Sequence, residues 1–142
     1  QLLRYTGSNN LADFENGNKM SMVYYMANLL AMTGPIFYFI FAPIIGVIGA
    51  FVSGSNTVSN TLFTPLQYQT SLSLGLNTAM FVALQNIGGA IGNIICINNI
   101  VAVSTTVNIE GKEAFILKKN IVPTLFYLAI IIIIFVIFQF LI

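Results

Sequence analysis

The feature that most constrains this chain is a stretch from residue 20 to residue 109 that contains no charged side chain and no histidine. A second uncharged stretch runs from residue 121 to residue 142. A transmembrane helix needs about 20 consecutive, mostly apolar residues, and both stretches are long enough to supply one. Because lipid offers no hydrogen-bond partners, backbone polar groups there must be satisfied internally, as they are in a helix. The pattern predicts an all-α, multi-pass integral membrane protein of the cell membrane.

The composition excludes several other classes of protein. Hydrophobic residues make up 57% and charged residues 6% of the 142 residues, whereas soluble domains carry about 25% charge. The net charge of +1 leaves no basic patch for nucleic acid. With no histidine and one cysteine, Cys96, the chain has no Ser–His or Cys–His pair and no metal cluster. We therefore expect neither an enzyme nor a cofactor or metal site.

Polar and apolar stretches alternate and divide the chain into five segments. We expect a polar segment with an interfacial helix at 1–33, a re-entrant hairpin at 34–69 with its tip at 54–57, a discontinuous transmembrane helix at 70–107, a cytoplasmic loop at 108–120 and a C-terminal transmembrane helix at 121–142. The apolar limb 36–53 would reach about 27 Å as a straight helix, just short of the ~30 Å hydrocarbon core.

The orientation prediction depends on three lysines. Lys112, Lys118 and Lys119 lie in the segment 108–120, and short loops rich in Lys and Arg remain in the cytoplasm. This rule predicts that segment 108–120 is cytoplasmic and that Ile142 lies outside.

A cluster of small and polar residues at 53–60 lies between two short apolar limbs. An irregular loop cannot face lipid, but it is tolerated where it lines a cavity. Gly54 permits a tight turn, and Ser55, Asn56 or Thr57 can cap the helix that follows. That helix would direct its free N–H groups towards an anion. The alternative is an ordinary loop outside the membrane.

The spacing of polar residues after the cluster indicates one shared helical face. Intervals of three and four residues separate Ser53, Asn56, Asn60, Thr64 and Gln67.

A second group of polar and small residues interrupts the long apolar stretch 79–107. It consists of the glycines Gly88, Gly89 and Gly92 and the amides Gln85, Asn86, Asn93, Asn98 and Asn99. Buried amides are costly in lipid unless they are paired or face a ligand. We expect helices at about 79–87 and 99–107 with an unwound middle, the usual location of a transporter site. The alternative is a continuous helix with a glycine packing face and amide bonds between helices.

Several motifs resemble those of one family. The segment 49–60, GAFVSGSNTVSN, is similar to the GAF-x-x-GS-[ND]-T-x-SN signature of L-lactate permeases. The segments 85–93, 98–102 and 107–113 also resemble that family, and the resemblance runs from about Met32 to the end of the chain.

The resemblance implies a secondary transporter that imports lactate or glycolate, usually by proton symport. It also implies an inverted-repeat transporter fold in which this chain is only the C-terminal portion. In related dicarboxylate transporters, Ser-Asn-Thr tips hold the substrate carboxylate and sodium. The expected partners are a small organic anion with a proton or sodium, the lipid bilayer and the missing N-terminal portion. The substrate- or ion-binding residues that we predict are Gly54, Ser55, Asn56, Thr57, Asn60, Gln85, Asn86, Gly88, Gly89 and Asn93.

Two consequences follow from the residues themselves. Asn56 makes the tip neutral, which suits an anion better than an aspartate would. Residues 20–109 contain no ionisable Asp, Glu, His or Lys, so a proton-carrying group would lie elsewhere or the proton would travel on the substrate. The competing hypothesis is a non-transporting membrane subunit that packs against partner helices through its glycine and amide faces.

Overall fold

The computed structural model describes residues 22–141, and this part of the chain is entirely helical, without strands. Its six helices are α1 (Met22–Ala31), α2 (Pro35–Ser53), α3 (Asn56–Ser73), α4 (Thr78–Gly92), α5 (Ile97–Thr106) and α6 (Glu113–Leu141). The prediction of a polar segment at 1–20 and the prediction that Ile142 lies on the outer side of the membrane fall outside the described residues.

Three segments are long and apolar enough to cross a membrane: Pro35–Ser53, Thr78–Thr106 and Glu113–Phe138. They correspond to α2, to α4 and α5 together, and to most of α6. The 19 residues of α2 give a length of about 28 Å at 1.5 Å per residue, close to the sequence estimate of about 27 Å. The polar helix α3 is not among the three. The all-helical membrane class is confirmed.

Two residues join α2 to α3. Gly54 ends α2 with a left-handed φ of 76°, and its N–H bonds to the Ala50 carbonyl at 2.9 Å. Glycine adopts this conformation without the Cβ penalty of other residues. The Ser55 side chain then accepts a hydrogen bond from the Val58 N–H at 3.4 Å and so caps α3. The tight turn and the cap therefore lie where the sequence indicated, although α3 continues to Ser73, beyond the expected end of the hairpin at residue 69.

The interruption of the long apolar stretch lies within the expected region but is shorter and begins later than the sequence indicated. The expected unwound region began after residue 87, but α4 continues to Gly92 and α5 begins at Ile97. The helical bond from the Asn93 N–H to the Gly89 carbonyl is still present at 3.3 Å. The three glycines are therefore helical, and their lack of a side chain allows close packing against other helices. The break lies at 93–96.

The last helix begins earlier than the sequence indicated. We expected a loop through residue 120, but α6 starts at Glu113 and includes Lys118 and Lys119. An acidic first turn is favourable at a helix N-terminus, and Glu113 supplies it. The helix has 29 residues, about 43 Å at 1.5 Å per residue, so its charged start can extend beyond a ~30 Å hydrocarbon core.

The core forms where α2, α3 and α4 pack together, and its centre is the contact between the backbones of α2 and α4. A Cβ atom on Gly88 would overlap the Pro43 carbonyl, and one on Gly92 would overlap the Val47 carbonyl. Glycine pairs of this spacing allow such close approach. At one side of this contact the ring of Phe81 lies 4.8 Å from that of Tyr38.

We predict that Gly88→Ala destabilises the protein, because one added carbon forces apart two packed backbones. Overpacking of this kind costs about 1–3 kcal/mol. Thermal or SDS-induced unfolding of the purified full-length protein measures the change. Ala102→Ser, which adds one heavy atom at an exposed position in α5, is the control. An unchanged unfolding midpoint for Gly88→Ala would contradict the close helix contact.

Candidate functional site

Three asparagines form a hydrogen-bonded group between α3 and α4, which we call the asparagine triad: Asn56, Asn60 and Asn86. The Asn86 Oδ1 atom accepts a hydrogen bond from Asn56 Nδ2 at 3.0 Å and another from Asn60 Nδ2 at 2.7 Å. Asn56 is the first residue of α3, and Asn60 lies about one turn later. Two residues of the predicted polar face therefore meet an amide of the second predicted polar group.

The triad fixes the direction in which the Asn86 amide points. An asparagine oxygen has two lone pairs, and both are used by the two donors. Within residues 22–141 the Asn86 Nδ2 group has no hydrogen-bond partner, and the Asn86 side chain is exposed and lines a cavity. Its two N–H bonds therefore remain without a partner in the described part of the chain, on a residue that lines the cavity.

The other two amide oxygens of the triad are buried and unpaired. Asn56 Oδ1 and Asn60 Oδ1 have no hydrogen-bond partner among the described residues. An unpaired buried acceptor costs about 1–3 kcal/mol, and Asn56, which carries one of the two, lines the cavity. Gly89 makes room for Asn56, because a Cβ atom on Gly89 would overlap Asn56 Oδ1.

The cavity beside the triad is an open pocket of about 500 Å³ that lies between α3, α4 and α6. Its polar groups are Asn56, Asn86 and Tyr127. The rest of its wall is aliphatic and comes from α4 and the residues just after it: Ile87, Ala90, Ile91 and Ile94. A mostly apolar cavity with a few convergent polar groups is the usual form of a small-molecule site.

A chain of buried side chains lies next to the triad and sets the register of the three core helices. Tyr38 donates to Gln67 Oε1, and Gln67 Nε2 donates to Gln85 Oε1 at 3.0 Å. Gln85 Nε2 donates to Ser59 Oγ at 3.1 Å, and Ser59 donates to the Gly46 carbonyl at 3.1 Å. All four side chains are fully buried. We call this group the buried polar chain.

The buried polar chain lies one residue from the triad on both helices. Ser59 precedes Asn60 on α3, and Gln85 precedes Asn86 on α4. Pairing Ser59 with Gln85 therefore brings Asn60 and Asn86 within hydrogen-bond distance. Gln85, one of the predicted binding residues, does not line the cavity.

The turn between α2 and α3 lies against the interruption between α4 and α5. A Cβ atom on Gly54 would lie 3.0 Å from Asn98 Nδ2 and 3.5 Å from the Cys96 sulfur. Cys96 is fully buried here. The two regions that the sequence singled out therefore meet in the structure.

The remaining predicted binding residues have different surroundings. Ser55 caps α3, whereas Thr57 is exposed on its first turn. Gly88 faces the backbone of α2. Asn93 lies at the interruption, where its Oδ1 atom is buried and has no partner in the described part of the chain. Its backbone carbonyl accepts a hydrogen bond from Asn99 Nδ2 at 3.4 Å.

Sequence reasoning missed the contribution of α6. Tyr127 lines the cavity, and Asn120 donates to the Ile94 carbonyl at 3.0 Å, which attaches α6 to the interruption. Each is a polar side chain at or inside an otherwise apolar span. A polar residue in such surroundings was the sequence signal that could have indicated their role.

We predict that Gln85→Leu lowers stability by about 1–3 kcal/mol, because it removes the centre of the buried polar chain. Gln69→Leu is the matched control, since Gln69 lies on α3, is partly exposed and has no side-chain hydrogen bond within the described residues. SDS-induced unfolding of the full-length protein compares the two. Equal effects would show that the buried chain does not stabilise the fold.

The family model and the individual relatives that match this chain indicate the same family. The family model described as L-lactate permease matches residues 5–142. A Haemophilus influenzae protein provisionally named an L-lactate permease is 45% identical over 111 residues, which is 78% of this chain and 21% of that protein. No solved structure matches the chain significantly.

Two further relatives carry specific names. The L-lactate permease of Bacillus subtilis is 36% identical over 82% of this chain and 21% of its own length. The glycolate permease of Escherichia coli is 31% identical over 80% of this chain and 20% of its own length. The chain thus spans about a fifth of the length of these relatives. From the family-model match and these identities, the chain belongs to the L-lactate permease family.

Proposed function

We propose that this chain is the C-terminal part of a secondary transporter that imports L-lactate or a related 2-hydroxy monocarboxylate such as glycolate. The observation that carries the proposal is the asparagine triad, which holds the Asn86 amide as a hydrogen-bond donor at the edge of a cavity. The names of the relatives, which include lactate and glycolate permeases, support the same class of substrate.

The triad suits a carboxylate for a simple electrostatic reason. No Arg or Lys lies between residues 20 and 109, so the donors that α3 and α4 supply to an anion in the cavity are neutral. The Asn86 amide is one such donor. The first N–H groups of α3 are others, because they have no intrahelical acceptor and carry the positive end of the helix dipole. Asn56 stands at this helix start and lines the cavity.

The proposed transport fold includes a re-entrant hairpin and a discontinuous helix. In this proposal α2 and α3 form the hairpin, and α4 and α5 form the discontinuous helix, within one half of an inverted repeat. Tyr127 lies seven residues after Asn120, about 10 Å further along α6. The cavity that it lines is therefore well inside the apolar part of α6, as expected for a transporter site. The charged start of α6 would lie in the cytoplasm.

The coupling ion is proposed to be a proton, with sodium as the alternative. Because residues 20–109 contain no ionisable Asp, Glu, His or Lys, the proton would be carried by the remainder of the transporter or by the substrate.

The competing function, a subunit that binds partner helices through its glycines, loses support, because Gly88 and Gly92 pack against α2 within the same chain.

We predict that Asn56→Ala raises the KM for L-lactate uptake by roughly 10- to 150-fold. A hydrogen bond to a charged group contributes about 1.5–3 kcal/mol, and 1.4 kcal/mol is a factor of ten. Uptake of labelled lactate by proteoliposomes containing the full-length protein measures the effect.

Asn28→Ala is the control, because Asn28 lies on α1 and its side chain has no hydrogen bond within residues 22–141. If Asn56→Ala protein inserts normally and transports lactate with an unchanged KM and rate, the Asn56 side chain neither binds the substrate nor positions Asn86 for it, and the proposal fails.

A further inference from the structure

The aliphatic wall of the cavity is next to the asparagine triad on the same helix. Ile87, Ala90 and Ile94 follow one another at intervals of three and four residues, so they share one face of the α4 region. Ala90 has the smallest side chain of this wall and is exposed, whereas Gly89 and Ile91 on either side are buried. The wall therefore projects least into the cavity at Ala90.

We infer that this wall receives the substituent at C2 of the 2-hydroxy acid and that Ala90 sets the size that fits. The inference depends on the proposed function, since it concerns the same site. A carboxylate bound by the Asn86 amide would place the substrate's alkyl group on the neighbouring wall. Glycolate has only hydrogen at this position, lactate has a methyl group and 2-hydroxybutyrate has an ethyl group.

The dimensions agree with this arrangement. Ala90 lies four residues after Asn86, about 6 Å further along the helix. A carboxylate oxygen hydrogen-bonded at about 2.9 Å, a C–O bond of about 1.2 Å and two carbon–carbon bonds of about 1.5 Å give a bent path of about 7 Å, whose ends lie a similar distance apart. The methyl group of lactate would therefore lie near Ala90 when its carboxylate is bound at Asn86.

Tyr127 on α6 lines the same cavity. The cavity volume of about 500 Å³ exceeds what a three-carbon acid needs, so the overall volume does not select between these acids. Selection must come from local contact with the wall. One methyl group in an apolar pocket changes the specificity constant by about 10- to 200-fold, and this is the largest discrimination expected here.

The test compares uptake of L-lactate, glycolate and 2-hydroxybutyrate by the full-length transporter and its Ala90→Leu variant. The larger side chain fills the place of the methyl group, so we expect the ratio of kcat/KM for lactate to that for glycolate to fall at least tenfold. Ala79→Leu is the matched control. Ala79 is exposed on the first turn of α4, about 16 Å along the helix from Ala90, and we expect that ratio to be unchanged.

A second variant decides the matter if Ala90→Leu does not reach the membrane. Ile94→Ala shortens the wall, and we expect it to raise the kcat/KM for 2-hydroxybutyrate relative to lactate by about tenfold. If the variants change uptake of all three acids equally, or not at all, the wall does not set specificity, although lactate transport itself still stands. Failure of the unmodified protein to take up any of the three acids would overturn the proposed function and the inference with it.

Discussion

Polar side chains buried in a charge-free membrane segment must find their partners within the protein, and this requirement organises the core of the chain. The amides and hydroxyls of α3 cannot face lipid without cost. They instead join α2 and α4 through the buried polar chain, in which Gln67 donates to both the Ala42 carbonyl and Gln85 Oε1, each at 3.0 Å. The register that this pairing sets brings Asn60 next to Asn86. The site therefore depends on hydrogen bonds that do not reach the cavity.

Two adjacent glycines connect this packing to the site. Gly88 lies against the backbone of α2, whereas Gly89 lies against the side chain of Asn56. Any side chain at the first position would separate two helices, and any side chain at the second would displace a member of the asparagine triad. The same sequence motif thus serves both the fold and the cavity.

Much of this arrangement could be predicted from local sequence signals. The uncharged runs indicated a helical membrane protein, the motifs indicated the family, and Gly54 and Ser55 indicated the turn and cap. The start of the helix interruption could not be predicted, because Gly88 and Gly89 are equally suited to an unwound backbone and to close packing. The partner helix decides between these uses. For the same reason Gln85 could not be distinguished from Asn86, since only the fold shows which amide is buried.

The central claim is that the Asn86 amide donates hydrogen bonds to the substrate carboxylate. Asn86→Asp tests it most directly, because aspartate has nearly the same shape and can still accept hydrogen bonds from Asn56 and Asn60. It replaces the donor in the cavity by a negatively charged acceptor, and like charges in contact cost several kcal/mol. Equilibrium binding of L-lactate to the purified full-length protein is expected to weaken at least ~100-fold, with little change in the unfolding midpoint. An unchanged lactate affinity in a folded Asn86→Asp protein would contradict the account.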